Sequence, residues 1–295
     1  MKRLALWISL LSTGVAAMAM DLPDIHQVSP DLSPAPMTAG APAPGKRVKQ
    51  VLPDYAGTQV YHVLYLPADW QAGRKYPVLV EYAGNGGFKS KLGDTCTGRP
   101  EDCSLGYGIS AGKGFIWVCL PYVSKDHKTI QLNWWGDVEA TVAYCKTAVR
   151  KVCAEYGGET MAVIITGFSR GAIACNYIGL HDDESASLWL AFVPHSHYDG
   201  VRTWGYPGDD RASALQRLRR LKGRPQFISQ EASTSATEEY LRTTGIQAPF
   251  TFQPLPYRNH TDTWVLRDIP ERRRLREWVQ KVLQERSAIA PEGKK

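Results

Sequence analysis

Short apolar runs alternate with longer amphipathic segments along most of this chain, from residue 58 to residue 286. The apolar runs have the continuous hydrophobicity of strands buried on both faces of a sheet, and they lie at 58–67, 76–84, 114–123, 161–167, 187–194, 225–230 and 250–256. The amphipathic segments repeat apolar residues at helical spacing, and they lie at 137–158, 171–180, 211–223, 234–245 and 271–286. This alternation predicts an α/β fold with a mostly parallel sheet and helices on both of its faces.

Two stretches interrupt the alternation, at residues 84–113 and at residues 195–211. Each follows a predicted strand, and long loops at strand ends are where sheets of this kind build their binding and catalytic sites. We therefore expect the functional residues to lie in or near these two loops.

The ends of the chain differ from the rest. A basic start and an apolar run at 4–17 precede an Ala-x-Ala cleavage site, so residues 1–19 are predicted to be a secretory signal peptide. Residues 20–54 are rich in Pro and Ala and are interpreted as a flexible, extended leader. A single domain is predicted at 55–288, followed by a tail at 289–295. We expect the protein to be secreted or periplasmic, and free of the membrane after signal cleavage.

Charge adds little to this picture. The 295-residue chain has a formal net charge of +6, and its basic clusters at 217–220 and 271–274 lie in amphipathic segments. Solvated helix faces explain such clusters better than a nucleic-acid patch does, and no nucleic-acid motif accompanies them. The Gly-rich stretch at 84–87 lacks the G-x-G-x-x-G spacing of a dinucleotide loop. The sequence therefore predicts neither a nucleic-acid partner nor a cofactor.

The predicted export permits disulfides, and the chain has six cysteines. Cys96 and Cys103 lie in one Gly/Asp/Pro-rich loop and are predicted to form a disulfide. Cys119 falls in a predicted strand and Cys175 in a predicted helix, where buried free thiols are the simpler interpretation.

Metal binding is the other chemistry that cysteine and histidine offer. No zinc-ligand spacing is present among the cysteines. His195, His197 and Asp199 could be alternate ligands on an extended segment, but no further cluster of strong ligands accompanies them. The sequence therefore predicts no metal site.

A specific motif surrounds Ser169. Gly167-Phe168-Ser169-Arg170-Gly171 has the pattern G-x-S-x-G, with a buried strand before it and a helix after it. This is the context of a nucleophile elbow, in which a tight strand-to-helix turn holds the serine hydroxyl above the sheet. The glycines are needed because side chains beside such a turn would clash. Ser169 is therefore the candidate nucleophile.

With this motif in this order of elements, the chain resembles the α/β-hydrolase superfamily over roughly residues 55–285. It looks most similar to the secreted esterase, feruloyl-esterase and polyester-depolymerase branch. The resemblance implies an α/β-hydrolase fold and a catalytic triad in the chain order serine, acid, histidine.

The resemblance also assigns partners to Ser169. His260 follows the last predicted strand, where the family places the base that takes the serine proton. The family usually carries its acid just after the strand at 225–230, where this chain has Glu231. Asp199 follows the preceding strand and is the alternative acid, because some lipases use that position.

Two N–H groups should bind the negative oxygen that forms during ester cleavage. The resemblance implies that Arg170, directly after the serine, provides one of them. The stretch Gly84-Asn85-Gly86-Gly87 resembles the HGGG-type loop that provides the other. Within it, Asn85 is the first choice and Gly86 the second.

Aromatic and histidine side chains near the second loop and before the longest helix are candidates for substrate binding. Aromatic rings in such positions can form a stacking wall for a sugar or an aromatic acyl group. The candidates are Trp134, Trp135, His195, Tyr198 and Trp204.

These features predict a secreted serine hydrolase that cleaves carboxylic esters through an acyl-enzyme, on a small-molecule or polymeric ester. A serine peptidase of prolyl-oligopeptidase type is an alternative, because the catalytic half of that family has the same fold. A non-catalytic binding module on a hydrolase scaffold is a third possibility. The presence of both Ser169 and His260 argues against it, since a site that has lost its function has no physical need for both.

Overall fold

The computed structural model describes residues 22–289. The predicted signal peptide, residues 1–19, lies outside the described residues, as does the predicted tail after residue 289. The strands are β1 Met37–Thr38, β2 Arg47–Gln50, β3 His62–Tyr65, β4 Tyr76–Tyr82, β5 Phe88–Lys89, β6 Thr95–Cys96, β7 Ile116–Leu120, β8 Gly158–Phe168, β9 Ala191–His195, β10 Gln226–Glu231 and β11 Phe250–Leu255. The α-helices are α1 Leu105–Ser110, α2 Val138–Tyr156, α3 Arg170–Tyr177, α4 Asp183–Ala186, α5 Arg211–Leu218, α6 Ser235–Thr244 and α7 Pro270–Ile289.

Nine of these strands form one sheet in the order β1-β2-β3-β7-β4-β8-β9-β10-β11, and β5 and β6 form a separate small hairpin. Strand β3 runs antiparallel to both of its neighbours. From β7 to β11 all neighbouring strands are parallel. Their carboxyl ends therefore meet at one edge of the sheet, which is where such sheets place their sites.

The strands at the centre of the sheet are buried along most of their length, as the continuous apolar runs predict. Side chains of successive residues point to opposite faces, and they divide into two hydrophobic cores. Leu79 and Trp117 belong to the core that also contains α1 and α7. Val80 and Val118 belong to the core that also contains α2, α5 and α6. Helices thus cover both faces of the sheet, as predicted.

The predicted leader, residues 20–54, is instead part of the fold where the structure describes it. Strand β2 pairs antiparallel with β3, so that Val48 lies opposite Leu64. Ile25 is fully buried, and its backbone N–H donates to the side chain of Asn259 at 2.7 Å. The prediction of a flexible leader was wrong. The four residues of β2 are enough to pair with the edge of β3, whose N–H and C=O groups would otherwise be unpaired.

No helix within residues 22–289 is both long and apolar enough to cross a membrane.

Candidate active site

Ser169 lies between the end of β8 and the start of α3, at the turn that the G-x-S-x-G motif predicts. Its backbone has φ 54° and ψ −114°, a conformation that is costly for any residue with a side chain. The N–H of Ser169 donates to the carbonyl oxygen of His195 at 2.9 Å, which fixes the turn against strand β9. The serine hydroxyl therefore stands at the carboxyl edge of the sheet, beside the first N–H groups of α3.

The two glycines of the motif are required by close backbone contacts. A Cβ on Gly167 would lie 2.2 Å from the carbonyl oxygen of Gly171. A Cβ on Gly171 would lie 1.9 Å from the carbonyl oxygen of Tyr82, at the end of β4. Both distances are far below van der Waals contact, so helix α3 can approach the sheet only because these positions carry no side chain.

Ser169, His260 and Glu231 form a continuous chain of polar contacts. The Nε2 of His260 lies 3.0 Å from the Oγ of Ser169, and its Nδ1 lies 2.7 Å from an oxygen of Glu231. Burial alone would raise the pKa of Glu231, but its hydrogen bond to His260 and the nearby His195 outweigh burial and hold that pKa at about 2. Glu231 is thus an anion at neutral pH, facing the ring nitrogen that is remote from the serine.

Ser196 is a fourth member of this chain of contacts, and the sequence alone does not predict it. Its hydroxyl donates to the same oxygen of Glu231 at 2.8 Å and lies 2.8 Å from the Nδ1 of His260. Its φ of +86° is rare for a residue other than glycine. A short polar residue after a strand is common in sequences, so no signal distinguishes it before the fold is known.

The alternative acid, Asp199, does not reach His260. Both of its carboxylate oxygens are bound by Arg217, at 2.7 and 2.9 Å, and the pair is buried. Asp199 therefore serves a structural ion pair. His195 is hydrogen-bonded to Ser229 and to the carbonyl oxygen of Thr261. Asp199 and His195 are therefore not free to bind a metal ion together.

A pocket of about 240 Å³ opens over Ser169. Its walls come from both of the loops that interrupt the strand–helix alternation, together with the stretch before α2. Trp134 and Trp204, two of the candidate substrate-binding residues, line it with ring centroids 5.7 Å apart. The other lining residues are Asn85, Phe88, Cys96, Phe168, Ser169, Arg170, His197 and His260.

Solved structures that resemble this chain are esterases and peptidases. An esterase from Thermogutta terrifontis aligns over 83% of this chain and 96% of its own, at 16% identity and a TM-score of 0.54. A fungal esterase from Rhizomucor miehei aligns over 83% of this chain and 85% of its own, at 12% identity and a TM-score of 0.52. The isopeptidase AtxE2 aligns over 84% of this chain, at 15% identity and a TM-score of 0.53. No family model and no curated protein sequence matches the chain.

The protein has the α/β-hydrolase fold. The chain spans only part of several of these neighbours, 62% of a thermostable esterase, 41% of the isopeptidase and 35% of a dipeptidyl aminopeptidase IV from Bacteroides ovatus. The neighbours with TM-scores of 0.52–0.54, at identities of 12–16%, establish the shared architecture, and the chemistry has to be argued from the site itself.

Within this α/β-hydrolase fold, the backbone N–H groups of Asn85 and Arg170 are available for a substrate oxygen. The N–H of Arg170 is at the first position of α3, where the helix offers no internal acceptor. Asn85 is held by its side chain, which accepts the N–H of Trp134 at 2.8 Å. Gly86 is excluded as a donor because its N–H already bonds to the carbonyl of Leu132 at 2.8 Å.

The side chain of Arg170 organises the pocket from beneath. It is fully buried and stacks on Tyr122, 3.8 Å from the ring centroid. Its terminal nitrogens donate to four backbone carbonyls, those of Gly84 and Gly98 in the loop at 84–113 and those of Gln131 and Trp134 in the stretch before α2, at 2.6–3.4 Å. The residue after the nucleophile thus ties together the loops that form the oxyanion site and the aromatic wall.

Three predicted substrate-binding residues lie away from this pocket. Trp135 is buried and stacks on Tyr177 behind the pocket wall. His195 is fully buried at the end of β9, and Tyr198 is buried with its hydroxyl bonded to Gln226 at 2.8 Å. The positive φ at Ser196 re-aims the chain after β9, so that His197 faces the pocket in their place.

The predicted disulfide between Cys96 and Cys103 is absent, and both are free, buried thiols. The Sγ of Cys96 faces the catalytic pocket, where burial raises the pKa of Cys96 to about 11. The Sγ of Cys103 lies within 4.8 Å of Cys119 and of the carboxylate of Glu81, beneath the sheet edge. The two side chains therefore lie in different surroundings, although they are close in the sequence.

Proposed function

We propose that the protein is a serine hydrolase that cleaves carboxylic esters through a covalent acyl-enzyme. The observation that carries this proposal is the unbroken chain of contacts from Ser169 through His260 to Glu231, which opens into a pocket. A hydroxyl in a strained turn, a base at 3.0 Å and an anion behind that base together meet the requirements for activating a serine.

In the proposed reaction, the Oγ of Ser169 attacks the carbonyl carbon of the ester while the Nε2 of His260 takes the serine proton. The carbonyl oxygen becomes an anion and is bound by the N–H groups of Asn85 and Arg170. His260 then delivers its proton to the departing alcohol oxygen, and the carbonyl re-forms as the acyl-enzyme. Water, deprotonated by His260, releases the acid and restores Ser169.

Glu231 acts on His260 rather than on the substrate. Its carboxylate accepts a hydrogen bond from the Nδ1–H, so that Nε2 carries the lone pair that faces Ser169. It also stabilises the imidazolium that forms once the serine proton has moved. The hydroxyl of Ser196 supports the carboxylate in this orientation.

A small, mainly aromatic pocket favours a small or flat acyl group over a long peptide. The neighbouring structures include an isopeptidase and a dipeptidyl aminopeptidase, however, so amide cleavage is the second candidate. Export to the periplasm or medium is also part of the proposal, supported by the basic and apolar start of the sequence.

The proposal is tested by labelling with a fluorophosphonate, which reacts with activated serines. The wild-type protein should be labelled at Ser169, and Ser169→Ala should lose both the label and turnover of 4-nitrophenyl acetate, by roughly 10⁴–10⁶-fold. A peptide 4-nitroanilide assayed in parallel separates ester from amide cleavage. Turnover by Ser169→Ala close to that of the wild type would refute the mechanism, and absence of labelling in the wild type would favour a non-catalytic module.

A further inference from the structure

His197 is a polar side chain of the catalytic pocket to which the proposed mechanism gives no role. It follows β9 by two residues, and its ring lies between two other rings of the pocket wall. The ring centroids are 4.8 Å from Trp204 and 5.2 Å from His260. The side chain is only partly buried, and its remaining exposed surface faces the pocket.

The surroundings of His197 determine its protonation state. Burial, reinforced by the neighbouring His260, lowers the pKa of His197 to about 4. The ring is therefore neutral at pH 7, with one N–H and one nitrogen that carries a lone pair. Whichever nitrogen carries the proton, the other ring nitrogen of His197 is an acceptor.

The other side-chain oxygen and nitrogen acceptors of the pocket already have partners. The guanidinium of Arg170 is bound to backbone carbonyls, and the side-chain oxygen of Asn85 accepts from Trp134. Ser169 and His260 are hydrogen-bonded to each other. A hydroxyl that enters the pocket beside Trp204 loses its water partners, which costs free energy unless the protein provides an acceptor.

We propose that His197 determines specificity by accepting a hydrogen bond from a hydroxyl group of the ester substrate. The inference rests on the proposed ester-hydrolase function and narrows it to esters that carry a hydroxyl close to the scissile bond. Such a hydroxyl belongs either to the acyl part, as in an ester of a hydroxy acid, or to the alcohol part, as in an ester of a polyol or sugar.

Two matched pairs of esters test the inference and separate the two sources of the hydroxyl. Ethyl lactate and ethyl isobutyrate differ by a hydroxyl against a methyl on the acyl side. Hydroxyethyl acetate and propyl acetate differ in the same way on the alcohol side. The variant His197→Phe keeps a ring against Trp204 and His260 but removes both nitrogens. The control variant Trp204→Phe alters the adjacent wall without removing the acceptor.

His197→Phe should lower kcat/KM for the hydroxylated member of one pair by ~10-fold, the effect of one lost hydrogen bond in a desolvated site, and mainly through KM. The methyl-bearing member should change by less than about twofold, because it never used the acceptor. Trp204→Phe should affect both members of a pair by the same factor.

Equal changes for both members of both pairs in His197→Phe would overturn the inference and leave His197 as an apolar wall. Fluorophosphonate labelling of Ser169 distinguishes this result from failure of the proposed function. A labelled enzyme with equal changes refutes only the role of His197. A wild-type protein that is neither labelled nor active on any of the four esters refutes the hydrolase proposal and the inference together.

Discussion

Replacing Glu231 by Gln should abolish most of the activity while leaving the fold intact. The oxygen of Glu231 that lies 2.7 Å from the Nδ1 of His260 also accepts the hydroxyl of Ser196. A Gln amide that keeps its oxygen in this place offers no negative charge to the imidazolium. An amide turned the other way donates N–H to Nδ1 and moves the ring proton to Nε2. That nitrogen, 3.0 Å from the Oγ of Ser169, can then no longer accept the serine proton.

The expected loss of activity depends on which of the two orientations the Gln amide adopts. In serine hydrolases of known mechanism, a neutral amide in place of the acid lowers kcat by ~10⁴-fold, which corresponds to about 5 kcal/mol of lost transition-state stabilisation. KM for a short 4-nitrophenyl ester should change little, because Glu231 does not itself line the pocket that holds the substrate. The assay is steady-state kinetics at pH 7–8, with the fluorophosphonate labelling rate as a second readout.

Asp199→Asn provides the matched control, since it removes the other candidate carboxylate. Asp199 is bound at both oxygens by Arg217, and removing one charge of a buried pair typically costs about 3–5 kcal/mol of folding stability. The variant should therefore unfold at lower denaturant concentration yet keep kcat within a few-fold of the wild type. If Asp199→Asn lost ~10⁴-fold and Glu231→Gln kept its activity, the assignment of the acid would be wrong.

Two further predictions concern the predicted leader and the thiols. Ile25→Ala should lower the free energy of unfolding by about 2–5 kcal/mol, whereas Val51→Ala, at an exposed site in the same segment, should change it by less than about 0.5 kcal/mol in denaturant titrations. Equal small effects would mean that the segment contributes nothing to the fold. Alkylation in denaturant without reductant should modify both Cys96 and Cys103. A peptide map that shows these two residues joined would contradict the structure.

The centre of the fold could be predicted from the sequence because its signals are local. Buried strands need continuous apolar runs, and the turn at Ser169 needs glycines on both sides, so both leave marks in the sequence. The partners of Ser169 needed more. His260 follows β11 and Glu231 is the last residue of β10. These positions become meaningful only once a resemblance to a known fold supplies the order of the triad.

Features that depend on tertiary contacts left no such mark. The pairing of β2 with β3 is specified by the open edge of β3, and the Pro- and Ala-rich composition around it gave the opposite impression. His195 and His197 have similar sequence surroundings, yet one is buried in the sheet and the other faces the pocket. The backbone conformation of Ser196 separates them, and nothing in the sequence indicates a positive φ at a serine.

The contacts of Arg170 restrict the motion of the loops around the site. One buried guanidinium binds carbonyl groups of the loop at 84–113 and of the stretch before α2, so neither can move away without removing partners from a buried charge. Opening of the loops should therefore be cooperative, with a free energy above that of an ordinary surface loop. The N–H donors of Asn85 and Arg170 should therefore remain oriented between turnovers.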